Sequence, residues 1–471
     1  MSLLRNLLLA GLLLAPATAA AQSADPPTTE RHGRAQSAGL RALYHCTGRF
    51  TADLSAERLE ADIFGNVTAR DRFTPQDVVI RDDLKRVEIR HAPDMPPRIA
   101  VWRPLLGCVL LPVGTLEADG FPVPRLPAGL TAPDLDAQPW PQGDARATAK
   151  LPRAQAARLD AVVSRAFRPE GYAGVSWGVI VLKGGKIVAE QYDRGYDMHT
   201  PQRTNSAAKS MAATLVGIAA GEGLVDVKAP APFPEWRTPG DPRGAITVQN
   251  LLHMGSGLYT EAGGSPQQEL YRSGAPAAER SLLNLMDSRP GARFVYAGSD
   301  TILALRSVRV AMNDDARFLA YPFQKLFWRI GMTRTTPETD WKGDFLMSGQ
   351  LWSTARDFAR FGLLYQQDGM WKGERVLPEG WARYVATPAP AQPTRADGRG
   401  YGAQFWLFGP RHGLPEGTYA AAGARGQYVV VVPGADVVIV RRGFDTTAAP
   451  FDIAGFSRDV LGAVAPSEAR R

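Results

Sequence analysis

The stretch from Thr204 to Gly223 constrains this chain most. Thr204-Asn205-Ser206-Ala207-Ala208-Lys209-Ser210 opens an apolar, alanine-rich run. Met211, Leu215 and Ile218 then recur at helical spacing, and Gly221 and Gly223 mark the end. Ser206 and Lys209, three residues apart, share one helix face one turn apart. A serine is a poor nucleophile until a base takes its proton. A buried lysine serves as that base, because desolvation disfavours the ammonium form. The helix N-terminus adds positive partial charge where an alkoxide develops. The tetrad alone is weak evidence and favours a solvated Ser/Lys pair; its place at the head of an apolar helix favours chemistry.

With 471 residues the chain is expected to carry two domains. Its hydrophobic fraction of 45% and charged fraction of 21% are those of a globular protein with no shortage of core material. The net charge of +7 is spread without a run of basic residues, which argues against a nucleic-acid stripe. Arg5, the apolar Leu7 to Ala15, and the small residues Ala17-Thr18-Ala19 and Ala19-Ala20-Ala21 read as a secretory signal over 1–21. The mature chain is then expected to begin near Gln22 and to be periplasmic or secreted. No segment reaches the roughly 18 uninterrupted apolar residues of a membrane span. Two cysteines, Cys46 and Cys108, suggest one disulfide in an oxidising compartment. Six dispersed histidines show no H-x-H or H-E-x-x-H spacing, so neither a metal nor another cofactor is expected.

Residues 22–110 form a small N-terminal region that holds both cysteines. Val78-Val79-Ile80 and Val87-Glu88-Ile89 predict short strands there, with a turn at Phe64-Gly65-Asn66-Val67. Residues 111–145 are rich in Pro and Gly and predict a linker or an extended wrap. The second domain, 146–471, begins with a helix near Pro152 to Phe167. A hairpin follows, Val175 to Leu182 and Ile187 to Tyr192 about Gly184-Gly185. The middle, Asn205 to about Ala386, is mostly helical. Within it Thr354 to Gln366 has a capping-box-like start and ends at Asp368-Gly369. Tyr428 to Val432 and Val437 to Val440 predict a second hairpin, and Phe451 to Val464 a last helix. This order predicts an α+β fold: an antiparallel sheet flanked by terminal helices, with a mostly helical insert.

A second serine motif competes. Gly174-Val175-Ser176-Trp177-Gly178 matches G-x-S-x-G, which needs a strand, a sharp turn at the serine and a helix after it. Here β-favouring residues run through Ser176 into Val179-Ile180-Val181 and a Gly-Gly turn, so Ser176 is expected inside a strand.

Ser206-Ala-Ala-Lys209-Ser210, followed by Leu251-Leu252-His253-Met254-Gly255-Ser256-Gly257-Leu258, resembles the active-site helix and loop of the serine β-lactamase and penicillin-binding superfamily. Two further blocks, Ser353 to Leu364 and Asp368 to Pro378, resemble its class C-like branch that includes 6-aminohexanoate-dimer hydrolases. The resemblance spans roughly 150 to 465, its blocks in order, and implies a β-lactamase/transpeptidase-like fold. It implies a tyrosine as the second catalytic element, and Phe294-Val295-Tyr296-Ala297-Gly298-Ser299-Asp300 supplies Tyr296. An Asn usual two positions later is replaced by Gly298, leaving Ser299 or Asp300 for that role. The third element, a Lys-Thr-Gly or His-x-Gly, falls on Ala421-Ala422-Gly423-Ala424-Arg425, so Ala421 stands in place of the cation. Arg425 is the neighbouring candidate for it, Gly423 lets the strand approach substrate, and the backbone N–H groups of Ser206 and Ala424 are the implied oxyanion hole.

The expected activity is an exported serine hydrolase acting on a small-molecule ester or amide, with Ser206 as nucleophile and Lys209 and Tyr296 moving protons. The alternatives are a β-lactamase or DD-peptidase of the same fold, which the missing cation disfavours, and a non-catalytic binder that keeps the fold.

Overall fold

In the computed structural model the described residues are 27–64, 73–145, 148–260, 270–446 and 448–465. The expected signal at 1–21 lies outside them, as does most of the turn beginning at Phe64. The N-terminal region is built on a helix that the sequence reading lacked, Pro27–Phe50. It packs on a four-stranded antiparallel meander of β1 (Val78–Arg81), β2 (Arg86–Ile89), β3 (Arg98–Arg103) and β4 (Gly107–Leu110). Ala38, Ala42 and Cys46 on one side of the helix meet Val87, Ile89, Ala100 and Cys108 of the sheet. Cys46 and Cys108 are joined as a disulfide across 62 residues of sequence. Replacing both by alanine is expected to lower stability by about 2–4 kcal/mol, because the unfolded chain regains loop entropy. A urea midpoint unchanged in the double variant would refute this.

From Leu111 to Ala145 the chain runs as an irregular strap against the elements that follow it. Trp140 donates its indole N–H to Gly185 O at 2.9 Å, and Asp144 is bonded by Arg360 at 2.7 Å. The helix Arg153–Arg165 follows, then the hairpin β5 (Ser176–Lys183) and β6 (Lys186–Tyr192). Gly184 and Gly185 both have positive φ (59° and 72°), the backbone a two-residue turn of this hand demands. In the helical middle the short β7 (Gln202–Arg203), β8 (Thr336–Pro337) and β9 (Leu351–Ser353) pair in the order β7-β9-β8. The helix Ala355–Gln366 starts as expected, with Thr354 Oγ1 accepting from Asp357 N at 3.0 Å. Only this half of the capping box forms; the Asp357 carboxylate instead accepts from Thr335 Oγ1 and Arg334 N. A small hairpin, β10 (Met370–Trp371) and β11 (Glu374–Arg375), closes this part.

The remaining strands are β12 (Gly400–Tyr401), β13 (Trp406–Leu407), β14 (Tyr419–Gly423), β15 (Gln427–Val432) and β16 (Val437–Gly443). With the first hairpin they form one seven-stranded antiparallel sheet, β12-β13-β14-β15-β16-β5-β6. Strands from well-separated parts of the chain therefore meet at β5 and β16, where Ile439 faces Val181 and Val440 faces Ile180. Both faces of this centre are buried. Ile180, Leu182, Val429, Val431, Val438 and Val440 pack with the helices Ala207–Gly221 and Ala355–Gln366. Val179, Val181, Val430, Val432, Val437 and Ile439 pack with Arg153–Arg165 and the C-terminal helix Ile453–Val464. Each such side chain contributes about 1.5–3 kcal/mol, which is why these strands read as unbroken apolar runs. Ser176 lies in β5, buried, donating to Ala166 O at 2.6 Å and accepting from Arg441 Nε at 3.0 Å. No strand-turn-helix geometry surrounds it.

Candidate active site

Ser206 is the N-cap residue of the helix Ala207–Gly221, yet its side chain makes no capping hydrogen bond. Its hydroxyl is left for the adjoining cleft. Asn205 before it is left-handed (φ 48°), and its Nδ2 donates to Ala424 O at 2.9 Å, tying the helix start to the end of β14. Gly423 makes that approach feasible: a Cβ there would lie 2.2 Å from Thr204 O and 3.0 Å from Ala207 N.

Every residue of this helix from Ala207 to Ala219 is buried, Lys209 included at 4% exposure. Lys209 Nζ lies 3.5 Å from Ser206 Oγ and donates to Ser348 O at 2.5 Å. Burial first, and the nearby Arg203 charge second, pull its pKa down from 10.5 to about 7. Its neutral form is thus available near neutral pH, as the motif requires. Arg203 is fixed by a bond from Nε to Gly349 O at 3.1 Å and by the Tyr44 ring of the N-terminal helix, 4.5 Å from its Cζ.

Tyr296 comes from the loop before the helix Gly298–Met312. Its neighbours are held by Met254: Val295 N donates to Met254 O at 2.9 Å, and Ala297 N to Met254 Sδ at 3.3 Å. The Tyr296 hydroxyl is hydrogen-bonded to Ser206 and receives the Trp406 indole N–H. Lys209 Nζ sits 5.0 Å from the centre of its ring. Burial pushes the phenol up to about 12, partly offset by the Ser206 bond, so it stays protonated at neutral pH. Sequence distances of 3 and 87–90 residues thus converge on one hydroxyl, one amine and one phenol.

Ser206, Tyr296, Ala422, Gly423 and Ala424 line a cavity of about 530 Å³, together with Trp406, Tyr428 and the Pro393–Arg399 loop. Two candidate residues lie away from the lining of this cleft. The Arg425 guanidinium lies 4.3 Å from the Phe444 ring and lines a small neighbouring cavity. The guanidiniums on the cleft wall are those of Arg395 and Arg399. Asp300 is turned inward, accepting from Ser256 Oγ at 2.8 Å, so it ties a loop to a helix rather than facing Ser206.

Sequence reasoning missed several supporting residues. Ser348 anchors Lys209 through its carbonyl and shares a short hydroxyl contact with the half-buried Tyr271. Gln404, left-handed at φ 64°, accepts from Ser210 Oγ through its carbonyl and from Thr301 Oγ1 through Oε1, tying the helices Ala207–Gly221 and Gly298–Met312 together. No local periodicity or spacing marks these residues, since their roles arise from contacts 77 to 194 residues apart. Among the described residues one acidic and histidine cluster, Asp136, Asp144 and His199, has metal-ligand proximity. Arg334, Arg356 and Arg360 already pair with its carboxylates.

A family model described as Beta-lactamase matches residues 159–441, more than half of the chain. The chain belongs to the beta-lactamase family. Membership makes it a serine hydrolase. It is 27% identical over 331 residues to a 6-aminohexanoate-dimer hydrolase from Paenarthrobacter ureafaciens, covering 66% of this chain and 79% of that one. A solved structure of a candidate 6-aminohexanoate-dimer hydrolase from Bacillus anthracis aligns with a TM-score of 0.51 at 21% identity, over 61% of this chain and 78% of that one. A family VIII carboxylesterase aligns with a TM-score of 0.50 at 16% identity, over 66% and 96%. These two structures show the shared α+β, β-lactamase/transpeptidase-like fold.

Proposed function

We propose that this beta-lactamase-family chain is an exported hydrolase that cleaves an ester or amide through an acyl-enzyme on Ser206. One observation carries the reading: a buried amine, drawn to about 7, lies 3.5 Å from a hydroxyl that opens onto a cleft. Ser206 Oγ attacks the substrate carbonyl carbon while its proton passes to Lys209 Nζ, directly or by way of the Tyr296 hydroxyl. The backbone N–H groups of Ser206 and Ala424 stabilise the oxyanion. On collapse the carbon–heteroatom bond breaks and the proton goes to the departing oxygen or nitrogen through Tyr296. Water then attacks the acyl carbon with the same groups as base, releasing the acid and restoring Ser206. The similarity to a 6-aminohexanoate-dimer hydrolase supports amides, and the likeness to a carboxylesterase supports esters. Export is supported by the leader-like first residues and by the disulfide, which persists in oxidising compartments. Among the described residues no helix is long and apolar enough to cross a membrane.

A fluorophosphonate probe is expected to add one adduct to the intact protein, and peptide mapping to place it on Ser206. An adduct on another serine would remove the assignment.

A further inference from the structure

The strand position that would carry a cation holds Ala421, buried in β14, yet the cleft is not without positive charge. Arg395 and Arg399 line it from the opposite loop, and no carboxylate-bearing residue lines it with them. Their acidic partner among the described residues, Asp397, is shared: Arg395 Nη2 lies 2.5 Å and Arg399 Nη2 2.7 Å from the same Asp397 Oδ2. Two guanidiniums on one carboxylate leave a net positive charge. Both guanidiniums are also held against an aromatic ring. The Arg395 and Arg399 Cζ atoms sit 4.9 Å and 5.4 Å from the centre of the Trp406 ring, and that ring packs 5.4 Å from Tyr296. The loop is braced by His412, whose ring nitrogen bonds Asp397 O at 3.0 Å, and by Arg411, which donates to Gly398 O. A positive patch is therefore stacked, one ring removed, against the phenol beside Ser206.

We propose that Arg395 and Arg399 form an anion subsite, and that this hydrolase prefers esters or amides bearing a carboxylate. The proposal rests on the Ser206 reading above and adds the substrate class. Asp397 takes the Nε and Nη2 donors of both guanidiniums, which leaves their Nη1 N–H groups for a substrate carboxylate; side-chain exposure is 36% at Arg395 and 19% at Arg399.

The test compares matched esters that differ only in charge. One pair is mono-4-nitrophenyl glutarate and its methyl ester, which puts the carboxylate on the acyl side. The other is 3-butyryloxybenzoate and its methyl ester, which puts it on the leaving group. In the wild type at least one acid is expected to exceed its methyl ester in kcat/KM by about tenfold or more. In the double variant Arg395→Gln, Arg399→Gln that ratio falls to near one. In Arg395→Lys, Arg399→Lys it keeps part of its value, because charge remains with fewer N–H donors. Ratios at or below one for both wild-type pairs overturn the proposal, as does a ratio that survives the glutamine variant. Ser206→Ala is run beside them: turnover that persists there removes the serine assignment, whatever the ratios show.

Discussion

Ser206→Ala is expected to lower kcat/KM on any substrate of this enzyme by four to six orders of magnitude, roughly the loss seen when the nucleophile of a serine hydrolase is removed. Stability should stay within about 1 kcal/mol of wild type. The two outcomes go together for a structural reason. The hydroxyl caps nothing, and its partners are Lys209 and Tyr296 at the cleft rather than core groups. Stopped-flow turnover and a urea melt on the same preparation check both halves. A variant that loses activity and also several kcal/mol of stability would mean that Ser206 is a framework residue.

Lys209→Met is expected to cost 10²–10⁴-fold in kcat, the usual worth of a positioned general base. It also changes two pH profiles. In the wild type kcat/KM should rise with pH through about 7 and then level, since the amine acts only when neutral. That acid limb disappears in the variant. Stability moves as well. The folded-state pKa of Lys209 lies below its unfolded value, so between about pH 7 and 10 the unfolded chain binds the extra proton. Through that window rising pH stabilises the wild type relative to the variant, by at most about 1.4 kcal/mol per pH unit. A wild-type rate that is flat from pH 5 to 8, or a stability difference independent of pH, would contradict a buried, depressed amine.

The parts of this molecule that could be read from sequence are those whose causes are local. Ser206 and Lys209 needed only helical spacing and an apolar run. The Gly184-Gly185 hairpin followed from turn chemistry, and the start of the helix Ala355–Gln366 from Thr354. Tyr296 required a resemblance, because a loop tyrosine has no periodicity of its own. The helix Pro27–Phe50 was missed since its apolar side is made largely of small alanines between Arg, His and Gly, a weak pattern until Val87 and Ile89 are laid against it. Arg425 was named for nearness along the chain to a vacant cation position. The arginines that line the cleft are Arg395 and Arg399, about 30 residues earlier, on an irregular loop that only the closed sheet brings round. Ser348, Gln404 and Arg203 were beyond sequence reasoning for the same reason, as tertiary contact alone defines their partners.

One buried carboxylate ties the two portions of the chain together. Glu338, just past β8, accepts from Thr47 Oγ1 of the N-terminal helix and from Cys108 N of β4, the latter at 3.1 Å. Desolvation holds its pKa up near 7 even with those donors present. Trp352 is roofed by Leu54 and Leu59, and Arg203 rests on Tyr44. A recombinant fragment starting at residue 111 would strip all of these at once, baring an acid and an indole and freeing the guanidinium that helps keep Lys209 uncharged. Substrate surveys on such a trimmed protein would report on a different catalyst.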